Sequence, residues 1–354
     1  MLHLDHPTPL DLGYRLRAEW IPHAATWTSW PSDDELWEGE LEAVRREFAV
    51  MVSTLSRYER VVVNVSDDEA QGDAKRRLRA ARANAARIRF HRVPLDDAWF
   101  RDNGPIFLVD AAGQVALTDW KFNAWGGKYA FERDTLAPEA VARELGMRRF
   151  AFPYVLEGGA IETNDEGLVI TTRSCLLAPT RNPQLGEEET EALLRAGLGA
   201  RSVVWLDRGL EGDHTDGHVD MVARFCDDRT IVCVSAEDPS DPNHGPSLAN
   251  LETLRALRSA NGAPMKVVPL PLPEQRRAPD GRILTASYAN FYVANGVVLV
   301  PTFDDPMDER ALATLRPLFP ERKVVGVSAT HLITGGGAWH CVTQHQPEGS
   351  IDHG

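Results

Sequence analysis

The chain has 354 residues, 43% of them hydrophobic, and carries 38 basic against 52 acidic side chains for a net charge of −14. A chain of this size buries a large core in one big domain or two. Its acidity argues against nucleic acid, whose phosphates demand basic patches, and favours a small cationic ligand drawn in by the field. Its four cysteines, Cys175, Cys226, Cys233 and Cys341, show no CxxC spacing, and neither a signal peptide nor a long apolar span is present. The expectation is a reduced, cytoplasmic protein without membrane contact.

In chain order, apolar spacing and good helix formers predict helices over residues 36–56, 73–86, 187–196, 247–259 and 309–318. Between them lie short β-branched runs at 61–65, 115–117, 168–172, 231–234 and 297–300, whose starts fall 54, 53, 63 and 66 residues apart. Alternating strands and helices indicate an α/β protein, and the loose period suggests repeated modules. No linker divides the chain, so residues 1–354 read as a single domain. The Pro-rich stretch 269–280 reads as a surface loop and 348–354 as a disordered tail. Trp20, Trp27 and Trp30, with Cys175, Cys226 and Cys233, read as core.

The residue that stands out is Cys341, set behind Gly335-Gly336-Gly337 after the β-prone run 323–327. Glycines allow positive φ and close approach of a ligand to the backbone, which a packing cysteine does not require. A nucleophilic cysteine needs a histidine and carboxylates brought to it by the fold. Gly212-Asp213-His214-Thr215-Asp216-Gly217-His218-Val219-Asp220 supplies both. Read as an extended segment, it points His218 and Asp220 to one face and Val219 to the other. Acidic sites at Asp96-Asp97-Ala98-Trp99-Phe100-Arg101-Asp102 and Glu157-Gly158-Gly159 complete the candidates. Glu157, in an apolar stretch, demands a cationic or hydrogen-bonding partner. Arg101 is expected to pair with Asp102 or Asp97. A rival reading makes His214, His218 and Asp220 metal ligands of a hydrolase, and another is a catalytically silent binding protein with the same pocket.

The ordered set Trp99-x-Arg101-Asp102-x-Gly104-Pro105, Asn123-Ala124-Trp125-Gly126-Gly127, Glu157-Gly158-Gly159, Arg181-Asn182-Pro183, Gly217-His218-Val219-Asp220 and Gly335-Gly336-Gly337-x-x-His340-Cys341 resembles the agmatine deiminase and bacterial peptidylarginine deiminase-like family. So does the opening Ala18-Glu19-Trp20-Ile21-Pro22-His23. The resemblance implies a five-module pseudo-symmetric α/β propeller of the pentein type, a homo-oligomer, no cofactor, and a small guanidine substrate, agmatine first and free or peptidyl arginine next. It implies Cys341 as nucleophile, His218 as acid/base, Asp102 and Asp220 as the carboxylates gripping the guanidinium, and Glu157 as the group orienting it. Trp99, Asp96, Gly336 and Gly337 would line the substrate channel, with Asp96 or Asp97 attracting the distal amine. Arg101 or Arg181 would be needed to meet the carboxylate of free arginine. Three stretches depart from the family's pattern: Ala160-Ile161-Glu162-Thr163-Asn164-Asp165, Ala338-Trp339 and the loop 211–216.

Overall fold

The structure, a computed structural model, describes residues 7–354. Among these, five sheets of three or four strands share one wiring, and a two-stranded hairpin (Arg276–Arg277 with Ile283–Leu284) stands apart. In four of the sheets a leading strand turns back antiparallel into a second, and the chain then crosses to a third strand parallel to the second. The crossovers run through helices Ala137–Leu145, Glu187–Leu198, His244–Arg255 and Asp308–Leu315, as parallel pairing requires a long connection. In the fifth sheet the leading strand is Thr343–Pro347, antiparallel to His23–Ser29. His23–Ser29 is then followed in parallel by Val61–Val65 and Ile88–Arg92. The α/β class read from the alternation is thus the observed one.

Sequence and packing agree along the second strands. Val297–Thr302 reads VVLVPT and is buried at all but its last position, as a strand covered on both faces must be. Glu187–Leu198 carries three glutamates in its first turn, where they complement the helix dipole, and ends at Gly199 in the left-handed region, φ 66°. Trp27 is buried and Trp30 nearly so, whereas Trp20 is half-buried against the core.

Several expected boundaries move. The helix expected over 73–86 spans Asp68–Ala80, because the Asp67 carboxylate accepts the Ala70 backbone N–H and starts it early. The helix expected from 36 starts at Leu41. The loop expected over 269–280 begins inside a strand, Lys266–Pro271. It tolerates Pro269 and Pro271 because it lies at the outer edge of its sheet, where those N–H groups need no partner. The tail is ordered too: Ser350–Ile351 pairs with Gln114 and Val115, and Asp352 accepts the Tyr14 hydroxyl at 2.7 Å.

Beneath the leading strands runs a buried ionic network. Arg224, with no exposed surface, meets Glu162 and Glu19 at 2.8 Å each, and Glu19 also meets Arg101 at 2.7 Å. Arg224→Met would leave Glu162 with only the Phe225 N–H as partner and strip Glu19 of one of its cations. Its expected cost is about 3–5 kcal/mol of unfolding free energy, the range for breaking a buried pair. Denaturant unfolding measures it, and a loss under ~1 kcal/mol would mean that the network contributes little.

Candidate active site

The turns that lead into the first strands of the sheets carry the predicted residues. Asp102 lies in the helical turn Phe100–Asn103 ahead of Ile106–Val109, and Glu157 precedes the turn Gly158–Ala160 ahead of Glu162–Thr163. His218 caps the 3-10 turn Val219–Met221, which contains Asp220, ahead of Ala223–Asp227. Cys341 lies in the turn before Thr343–Pro347. The extended segment expected at 218–220 is therefore a tight turn, and the two side chains both face Gly159 for a different reason than strand alternation.

These turns converge on Gly159. A Cβ there would stand 2.6 Å from His218 Nδ1, 2.8 Å from Asp102 Oδ1 and 3.1 Å from Asp220 Oδ2, so no larger residue fits. Asp102 is held by the Gly159 N–H at 2.8 Å and the Trp125 indole at 3.0 Å, with His218 Nδ1 3.7 Å away. Asp220 Oδ2 accepts from His340 Nδ1 at 2.7 Å and lies 3.5 Å from the Cys341 sulfur. Glu157 Oε1 accepts from Arg181 Nε at 2.7 Å, and both side chains are wholly buried. Four buried atoms in this cluster have no hydrogen-bond partner: Asp220 Oδ1, Glu157 Oε2 and both nitrogens of His218.

Burial and crowded carboxylates set the protonation states. Burial, with Asp220 and Glu157 adding like charge, pushes the Asp102 carboxyl well above its ordinary value. Burial and the charges of Asp220 and Asp102 likewise push the Cys341 thiol well up. Desolvation lowers His218 to about 3, so its ring is neutral near pH 7. Burial raises Asp220, yet hydrogen bonding and charge from His340 outweigh it and hold that carboxylate below its ordinary value. The result is an acidic, dry pocket in which a cation would bring the raised Asp102 carboxyl and Cys341 thiol back down.

Beside the pocket lies a cavity of about 160 Å³, lined among others by Trp37, Asp97, Trp99, Trp125, Tyr129 and Gly335. Asp97, raised to about 7 by burial, accepts the Trp99 indole N–H at 2.8 Å. Asp96 is not in this lining: its carboxylate accepts the Arg133 backbone N–H at 2.8 Å. The three glycines answer to neighbouring side chains. Gly336 has φ 97°, and a Cβ on it would fall 2.0 Å from His214 Cε1. On Gly335 it would strike the Trp99 and Trp37 rings, and on Gly337 the Cys341 sulfur and Trp99.

Two expected arginine roles are corrected. Arg101 meets neither Asp102 nor Asp97 but Glu19 and Gln344, the latter at 3.0 Å. Arg181 is spent on Glu157, on Asp216 at 2.6 Å and on the Thr215 carbonyl at 2.7 Å. Both guanidinium groups are committed, so neither stands ready for a substrate carboxylate. The metal reading also changes. His214 packs edge-on against Trp125 and Tyr129, and the donor atoms that lie within 4.8 Å of one another belong to Glu157, Cys175 and His218. The permanently charged Arg181, 3.9 Å from the Cys175 sulfur, opposes a cation there.

Sequence reasoning missed His340 and Glu19 as site residues. His340 bridges Asp220 and Glu19 through its two ring nitrogens, at 2.7 and 2.9 Å. Their signal was present, since both lie inside quoted motifs. In two of the three departing stretches side chains point elsewhere, Glu162 taking Arg224, Asp165 taking Arg17 and the Trp339 indole donating to the Val327 carbonyl, whereas the loop 211–216 borders the site through His214, which packs on Gly336 and Trp125.

Comparison with known proteins bears on the sequence and the fold. The Porphyromonas-type peptidyl-arginine deiminase family matches residues 15–347. An agmatine deiminase of Ectopseudomonas mendocina is 36% identical, covering 96% of this chain and 97% of its own. One of Pseudomonas fluorescens is 38% identical over 97% and 98%. The solved agmatine deiminase of Enterococcus faecalis superposes with a TM-score of 0.90 at 30% identity, over 98% of this chain and all of the other. With the family matched over nearly its whole length and the fold shared with solved relatives, this chain belongs to the Porphyromonas-type peptidyl-arginine deiminase family.

Proposed function

We propose that the protein is an agmatine deiminase, hydrolysing the guanidine of agmatine to N-carbamoylputrescine and ammonia with Cys341 as nucleophile. The observation that carries this is the buried Asp220, whose Oδ2 lies 3.5 Å from the Cys341 sulfur and whose Oδ1 has no partner, in a cluster where Glu157 Oε2 and both nitrogens of His218 are also unpartnered. Buried polar atoms of a native protein are paired, and a flat cation rich in N–H donors is the group that would pair two carboxylates here.

Asp102 and Asp220 grip the guanidinium, and its charge offsets the carboxylates that hold the thiol protonated. The Cys341 proton passes to neutral His218 as sulfur bonds to the guanidinium carbon. His218 returns that proton to the departing nitrogen, ammonia leaves, and an S-alkylthiouronium remains. Water then attacks the same carbon and loses a proton to His218. The C–S bond breaks, the His218 proton returns to sulfur, the remaining water proton leaves to solvent where it converts ammonia to ammonium, and the neutral ureido product is released. Holding carbon against sulfur in a closed site can contribute about 7–11 kcal/mol. The alkyl chain would run past Trp99 into the aromatic cavity, where Asp97 and the ring faces suit an ammonium. The five sheets are read as modules of one propeller with the leading turns at its axis, which accounts for residues so distant in sequence serving one pocket.

The test is a product assay with agmatine, free arginine, a blocked peptidyl-arginine and methylguanidine. Agmatine should give ureido product and ammonia with the highest kcat/KM. Urea plus amine would mean attack by water at the other C–N bond and would end the cysteine scheme.

A further inference from the structure

Four of the five leading strands are entered by turns that place Asp102, Glu157, His218 with Asp220, or Cys341 in the pocket. The fifth leading strand, Tyr292–Ala294, is entered by Asn290, a wholly buried side chain. Its Nδ2 donates to the Cys341 sulfur at 3.1 Å. Its Oδ1 accepts the backbone N–H of Ala338 and His340 at 3.1 Å each and that of Cys341 at 3.3 Å. The orientation of the amide follows from this network, because a flipped amide would set its NH₂ against three N–H donors. We propose that Asn290 is a further catalytic residue, the fixed hydrogen-bond donor that stabilises the Cys341 thiolate while its carbonyl holds the turn that presents the sulfur.

This rests on Cys341 being the nucleophile. Asp220 Oδ2, at 3.5 Å, approaches the sulfur as an acceptor and serves the protonated thiol. Asn290 serves the anion, since an N–H donor gains strength as charge builds on sulfur and is already in place when it does. The two groups act in opposite directions on one atom. The incoming cation neutralises Asp220 and leaves the amide in control.

Asn290→Asp separates the two halves of the amide: a carboxylate still accepts the three backbone N–H groups but cannot donate to sulfur. It should lower kcat on the order of 10²-fold, as loss of one preorganised donor does. The pH at which iodoacetamide reaches half its limiting rate with the thiol should rise. Asn290→Ala, which removes the donor without adding charge, should shift that profile in the same direction by less; it carries the test because the carboxylate of N290D raises the thiol by charge alone, with N290L in its place should N290A not fold. A role confined to holding the turn predicts an unshifted alkylation profile in N290A, and that result overturns the inference. The alkylation readout needs no substrate. Loss of activity in Cys341→Ser together with an unshifted N290A profile would therefore reject Asn290 alone, whereas an active Cys341→Ser would reject the function itself.

Discussion

Cys341→Ser is expected to lower kcat for agmatine by at least ~10⁴-fold while agmatine still binds, because removal of a covalent nucleophile costs most of the catalysis that acts as a unit. The change deletes no cation-binding group: Asp102, Asp220 and Glu157 keep their places through Gly159, Trp125, His340 and Arg181. A serine hydroxyl in a dry pocket beside two carboxylates ionises far less readily than the thiol, which burial already pushes up. Calorimetric titration of the variant should return a Kd within a few-fold of the wild-type KM if chemistry limits turnover in the wild type. Turnover within tenfold of wild type would remove the sulfur from the scheme.

Asp220→Asn is the second large effect and has two readouts of opposite sign. Asp220 holds His340 through Oδ2 and has Oδ1 without a partner, so in the proposed complex the amide removes one of two carboxylates on the guanidinium and should cost at least ~10³-fold in kcat/KM. The same change should make the free thiol more reactive. In the wild type, burial first and the Asp220 charge next raise the Cys341 thiol. Removing that charge lowers it, and the pH profile of iodoacetamide alkylation should move to lower pH as deimination falls. A variant that lost both would point to collapse of the turn. One that kept both would mean that Asp220 neither grips substrate nor faces the sulfur.

The pocket explains why a strongly acidic composition suits this chemistry. Carboxylates at 102, 157 and 220 destabilise one another without a cation, so binding is favoured by the relief of their repulsion as well as by new hydrogen bonds. Arg181 belongs to that balance: it holds Glu157 Oε1 and leaves Oε2 open toward His218 and Cys175.

Residue chemistry and local pattern, both written in the sequence, determined the α/β class, the strands at 61–65 and 168–172, the cysteine behind three glycines and the acids that would meet a cation. Long β-branched runs and a thiol beside glycine declare themselves within a few residues, where propensity and chemistry act locally. Tertiary structure alone decided that Asp97 rather than Asp96 lines the cavity, that Arg101 turns to Glu19, that His218 and Asp220 lie against Gly159 beside Asp102, and that Asn290 reaches the sulfur. Each depends on which strand-leading turn abuts which across five sheets, and contacts separated by 51 to 121 residues leave no periodicity along the chain. The physical reason is that pairing of distant strands fixes those neighbours, while the side chains involved would satisfy their local geometry equally well with other partners.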